Sequence, residues 1–117
     1  MSDPNSACVF CKIFRREIVA DEVLRTDDAL VFRDLNPKAP VHLLVVPRRH
    51  ADNLGDFVAM AESREVGDLF ALASRAGREF APGGYRVVVN EGLDGGQTVH
   101  HLHLHVLGGR RMSWPPG

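Results

Sequence analysis

The stretch His100-His101-Leu102-His103-Leu104-His105-Val106-Leu107 decides how this chain is read, because histidine alternates in it with aliphatic residues. Side chains of an extended strand point to opposite faces in turn, so His101, His103 and His105 share one face. His100, Leu102, Leu104 and Val106 take the other. At about 3.3 Å of rise per residue, the three imidazoles stand roughly 6 to 7 Å apart.

A lone histidine on the polar face of a strand is ordinarily just a solvated side chain. Three in register, behind the glycine-rich loop Gly92-Leu93-Asp94-Gly95-Gly96-Gln97, are a different matter. Neutral imidazole is a nucleophile toward phosphorus near pH 7, and its neighbours can hydrogen-bond or protonate a leaving group. Gly92, Gly95 and Gly96 let the backbone approach an anion closely and aim N–H groups at it. Nucleotidyl transfer through a phosphohistidine is one chemistry that uses such an array.

Working outward, Tyr85 to Asn90 has the aromatic and β-branched content of a strand, and Pro82-Gly83-Gly84 separates it from the helix before it. That helix, Ser63 to Phe80 with Ser63 as its cap, repeats Val66, Leu69, Phe70, Ala73, Ala76 and Phe80 at three- and four-residue steps. Val41 to Val46 is almost wholly apolar, as a strand covered on both faces would be, with His42 its polar exception and Pro47 its end. Ahead of it, Asn36-Pro37-Lys38-Ala39-Pro40 is a loop, and Glu22 to Thr26 and Ala29 to Asp34 form a hairpin about Asp27-Asp28. Cys8 to Phe14 makes a short helical turn. Five strands and one long helix give an α+β architecture in one domain, residues 1–117.

Composition narrows the function. The chain carries 14 Lys and Arg against 15 Asp and Glu, a formal net charge of -1, so no global positive field recruits a nucleic acid. Met1 to Ser6 has no basic stretch leading into an apolar run, and no segment suits a membrane span, so the expected location is the cytoplasm and the expected partners include neither membrane nor nucleic acid. Two cysteines are too few for a secreted disulfide framework. Cys8-Val9-Phe10-Cys11 has the spacing of half a zinc site and needs two further ligands. A thioredoxin-like redox pair fits poorly, since no strand precedes it.

At His101-Leu102-His103-Leu104-His105-Val106-Leu107 the chain resembles the histidine triad family. The resemblance runs over nearly the whole length and is strongest to the Hint branch, in Asp34-Leu35-Asn36-Pro37-Lys38-Ala39-Pro40, in Val88-Val89-Asn90-Glu91-Gly92 and in the tail Trp114-Pro115-Pro116-Gly117. It implies a homodimer with a continuous antiparallel sheet, in which residues 108–117 reach toward the partner's site. It also implies hydrolysis of purine nucleoside 5'-phosphoramidates and related aminoacyl or lysyl adenylates.

By that resemblance His103 is the nucleophile and carries the nucleotidyl intermediate, His105 contacts phosphate and leaving group, and His42 is the fourth histidine of the site. Asn90, Thr98 and Val99 line the phosphate position; many relatives have serine where Thr98 stands, and threonine keeps the hydroxyl. Asp34 takes the ribose hydroxyls, Val9, Phe10, Ile13, Phe32 and Leu35 enclose the base, and Trp114 tunes the leaving group. The wider family, including galactose-1-phosphate uridylyltransferases, pairs such cysteines with two histidines that here are His50 and His101, which implies a structural zinc on Cys8, Cys11, His50 and His101. No acidic cluster for magnesium lies near the motif, so no catalytic metal or organic cofactor is expected. Two other readings stand beside this one: a dinucleoside polyphosphate hydrolase of the Fhit type, and a nucleotide-binding scaffold.

Overall fold

A computed structural model describes residues 7–117; Met1 to Ser6, read above for a leader, lies outside them. Chain order is α1 (Val9–Phe14), β1 (Glu22–Arg25), β2 (Ala29–Arg33), β3 (Val41–Pro47), α2 (Leu54–Met60), α3 (Ser63–Phe80), β4 (Tyr85–Val88) and β5 (Leu104–Gly108). The strands form one antiparallel sheet in the order β1-β2-β3-β5-β4. The architecture is thus α+β, a five-stranded open sheet with helices.

Alternation along the central strands divides the interior in two. Val31, Leu43, Val45, Leu104 and Val106 face α3 and pack with Leu69, Leu72, Ala73 and Ala76. Leu30, Phe32, Leu44 and Val46 face the other way, where α1 covers them with Phe10, Ile13 and Phe14. The apolar run in β3 follows from this, since both of its faces are covered. His42, buried in the same strand, falls in alternation with Leu44 and Val46 and so belongs to the α1 side.

The long helix begins and ends where its periodicity places it, with two corrections. Its cap is Glu62 and not Ser63: the Glu62 N–H donates to the Glu65 carboxylate at 2.8 Å, so Ser63 already has helical geometry. Phe70 is exposed while Leu72 is buried, because the stripe through Leu69, Ala73 and Ala76 includes position 72 and leaves position 70 about 100° away. Gly77 lies on the same stripe, and a β-carbon there would stand 2.6 Å from the Tyr85 ring. Glycine lets β4 sit close beneath the helix.

Two elements differ more. The short helix α2 was not foreseen; its only buried residue is Phe57, so it has no apolar stripe to reveal it, and its start is set by the Asn53 side chain accepting the Asp56 N–H at 2.8 Å. The last strand starts at Leu104 rather than His100. Before it the backbone has other partners: the Leu102 N–H donates to the Ala51 carbonyl at 2.8 Å, and the His101 carbonyl accepts from the His103 ring at 2.8 Å. These bonds replace a sheet ladder.

Candidate active site and metal centre

The face alternation survives this change from Leu102 onward, with Leu102, Leu104 and Val106 in the α3-side core and His103 and His105 opposite. The imidazoles are nearer than regular strand spacing predicts, the His103 and His105 rings having centroids 5.0 Å apart. His42 completes the group, its Nε2 lying 2.9 Å from His105 Nδ1.

Backbone partners fix the tautomers of His103 and His42, and His42 in turn fixes that of His105. His103 Nδ1 faces the His101 carbonyl, which can only accept, so Nδ1 carries the proton and Nε2 presents a lone pair. His42 Nδ1 accepts the Lys38 N–H at 3.0 Å, so its proton is on Nε2 and is donated to His105 Nδ1. The remaining His105 proton then sits on Nε2. The arrangement places a free lone pair on His103 beside an N–H donor on His105, which is what attack on phosphorus with stabilisation of its oxygens requires.

Burial favours the neutral forms of His105 and His42. His105 is pushed down to about 4, chiefly by burial and then by the neighbouring His103 and His42. Burial lowers His42 as well, partly opposed by Asp34, whose Oδ2 is 3.5 Å from His42 Nε2. The sign for stability follows. The unfolded chain binds a proton on His105 as pH falls through about 6.5, whereas the folded chain resists until about 4. Stability is therefore flat above that window and is lost as pH drops through it. Urea midpoints at pH 7 and pH 5 should show this loss in the wild type and a smaller one in His105→Asn; equal slopes would contradict the assignment.

Phe10 seals the row from α1. Its ring meets His103 edge-on with centroids 5.2 Å apart, and also meets His101 at 5.8 Å and Phe32 at 5.7 Å. Ile13 and Phe32 are buried in the same cluster, and Val99 packs against it. Ile18, which sequence reasoning passed over, shares with Ile13, Arg16, Val19, Ala20 and Glu22 a cavity of about 300 Å³ at the end of α1. Asp34 directs Oδ1 to the Asn36 N–H at 2.7 Å and Oδ2 toward His42. Asn90 is half-buried and Thr98 exposed at the two ends of the glycine-rich loop.

Three expected binding residues stand exposed on this chain. Leu35 is 96% exposed and Val9 40% exposed. Trp114 is 81% exposed, and Arg86 ties its segment to β4 by donating to the Ser113 carbonyl at 2.8 Å and lying 5.9 Å above the indole.

A second cluster adjoins the first. Cys8, at the start of α1, Cys11, within it, His50, after β3, and His101 each offer a ligand atom, all within 4.8 Å of one another. His101 Nε2 donates to the Pro47 carbonyl at 2.9 Å and His50 Nε2 to Asp52 Oδ1 at 3.1 Å, so both Nδ1 lone pairs point inward. These two nitrogens are 3.1 Å apart, and the sulfur-to-nitrogen separations are 3.3, 3.4 and 3.6 Å. Tetrahedral zinc, with bonds of about 2.0 Å to nitrogen and 2.3 Å to sulfur, sets such edges at about 3.3 to 3.5 Å. The donor set fits that ion. His101, held down to about 4 mainly by burial, offers its lone pair at neutral pH. Asp34, His42 and His105 also converge, but His42 Nε2 must keep its proton, so this group suits hydrogen bonding and not metal.

Fold and site together define a class: α+β proteins whose open sheet carries a row of tautomer-fixed histidines under a short helix. The chain belongs to the HIT domain family, whose model matches residues 15–112. It is 48% identical to an uncharacterised HIT-like protein of Synechococcus elongatus, over 93% of this chain and 96% of that one. It is 43% identical to a 14 kDa zinc-binding protein of Zea mays, over 97% and 90%. The fold superposes on a HIT family hydrolase from Legionella pneumophila with a TM-score of 0.88, at 42% identity and covering 94% of this chain and 99% of that one. No helix among the described residues is long and apolar enough to cross a membrane.

Proposed function

We propose that this protein is a Hint-type phosphoramidase, a cytoplasmic homodimer that hydrolyses purine nucleoside 5'-phosphoramidates through a covalent intermediate on His103. The observation that carries the reading is the His103 ring, whose Nδ1–H is tied to the His101 carbonyl at 2.8 Å while Nε2 is left with its lone pair beside His105. That lone pair forms a bond to the α-phosphorus as the bond from phosphorus to the amine breaks, and the amine leaves with a proton from solvent. Water then attacks phosphorus, the bond to His103 breaks, and the nucleoside monophosphate departs. His105 donates its Nε2–H to the phosphoryl oxygens through both steps, and the Lys38 N–H and His42 hold it in that tautomer.

Asp34 receives the ribose, Phe10, Ile13 and Phe32 the base with Val9 and Leu35 at its margin, and Asn90, Thr98 and Val99 the phosphate. Trp114, exposed on this chain, reaches the partner's leaving group in the dimer. Cys8, Cys11, His50 and His101 hold a structural zinc, a reading supported by the donor spacing and by the maize relative. When bound, the ion ties α1 to the histidine run.

Initial rates across adenosine phosphoramidates, aminoacyl adenylates and diadenosine polyphosphates test the reading. Preference for the phosphoramidates is expected; preference for the polyphosphates would make the protein a Fhit-type hydrolase, and turnover of none would make it a nucleotide-binding scaffold.

A further inference from the structure

Gln97, at the end of the glycine-rich loop, commits both of its amide hydrogens and its amide oxygen to main chain from three separate places. Its Oε1 accepts the Gly92 N–H at 3.1 Å, and its own N–H donates to the Gly92 carbonyl at 3.1 Å, so the loop is closed upon itself. Its Nε2 donates to the Val99 carbonyl at 3.0 Å and to the Asp52 carbonyl. Both of these carbonyls can only accept, which fixes the orientation of the amide. The loop so closed is tightly wound: Gly92 and Gly96 have φ of 76° and 82°, and a β-carbon on Gly95 would lie 2.2 Å from the Glu91 carbonyl oxygen.

Each anchored segment leads to the histidines. Asp52 follows His50 and orients its ring, and the neighbouring Ala51 carbonyl accepts the Leu102 N–H at 2.8 Å. Val99 packs against the cluster that contains Phe10, whose ring bears on His103, and lies two residues before His101. Gln97 thus stands where the loop, the turn after β3 and the entry to the histidine run meet.

We propose that Gln97 is a positioning residue, which touches no substrate but sets the register of the phosphate-binding loop against His103. This rests on the phosphoramidase reading only for its kinetic arm. Misplacing a phosphate relative to a nucleophile by about 1 Å costs on the order of 10²-fold in rate. Gln97→Met keeps the length and removes the bonds. Gln97→Glu keeps the acceptor for Gly92 but turns a carboxylate oxygen toward two carbonyls, and its effect is the larger.

The test is calorimetric binding of adenosine monophosphate together with kcat and KM for an adenosine phosphoramidate. Val66→Ala, on α3 and packed against the opposite core, serves as the control for lost stability. Both Gln97 variants are expected to remain folded at 25 °C, to bind the nucleotide about tenfold more weakly and to lose about 10²-fold in kcat/KM, with kcat falling as well. Val66→Ala loses thermal stability and keeps both properties. Nucleotide affinity and kcat within twofold of wild type in the Gln97 variants, with only the thermal midpoint lowered, would overturn the proposal. If the wild type hydrolyses no phosphoramidate, the binding arm still decides the role of Gln97.

Discussion

Replacing His103 with alanine is expected to lower turnover of an adenosine phosphoramidate by roughly 10⁴-fold or more, the scale of losing a nucleophile. The reason lies in the three ring environments. His105 has its Nδ1 occupied by the His42 proton, and His101 turns Nδ1 to the thiols and Nε2 to the Pro47 carbonyl. Among the triad histidines, only His103 is left with a nitrogen lone pair outside both networks. His103→Ala should therefore keep the metal content and far-ultraviolet spectrum of the wild type and form no covalent adduct on acid-quenched mass analysis. Loss of the Phe10 contact costs some packing, so His103→Asn, closer in volume, is the companion variant. Retained turnover in both would remove His103 from the chemistry and direct attention to water as the attacking group.

The sheet was legible in the sequence because its strands have one job each. The alternation of Leu102, Leu104 and Val106 with histidine marks a strand with one face in the α3 core, and β3 reads as central because both its faces are covered. The long helix was legible for the same reason, through the stripe of Leu69, Ala73 and Ala76. What was hidden depends on partners distant in sequence. No local pattern shows that Leu102 bonds to Ala51 instead of a neighbouring strand, and so none shows that the strand begins late. Gln97 looks like any loop glutamine until Asp52, Gly92 and Val99 are seen around it. Equally, α2 carries one buried residue and gives no period. The cysteine spacing showed half of a donor set, but the inward lone pairs of His50 and His101 are set by Asp52 and Pro47, which only the fold brings near.

Removal of the proposed zinc is expected to carry the other large effect, acting through the fold before it acts on chemistry. Cys8 caps α1 and Cys11 lies within it; the helix's six residues are too few to be helical unaided, and its start is held by the Cys8 sulfur accepting the Cys11 N–H at 3.4 Å. The same helix places Phe10 on His103. An ion joining α1 to His50 and His101 binds only the folded chain well. At free metal about 100 times its dissociation constant it adds about 2.7 kcal/mol. For a chain of this size that corresponds to a thermal midpoint roughly 8 to 16 °C higher. Dialysis against a chelator should produce that drop, addition of zinc should reverse it, and Cys11→Ser should show the low midpoint with or without zinc. On the proposed function, turnover of an adenosine phosphoramidate should fall along with the midpoint, because without the ion α1 holds Phe10 less firmly against His103. A purified protein holding less than about half an equivalent of zinc, with a midpoint that zinc does not move, would show that thiol protons alone satisfy the two inward nitrogens. The four side chains would then be a packed polar cluster, and the union of α1 with the histidine run would rest on Phe10, Ile13 and Phe14 alone.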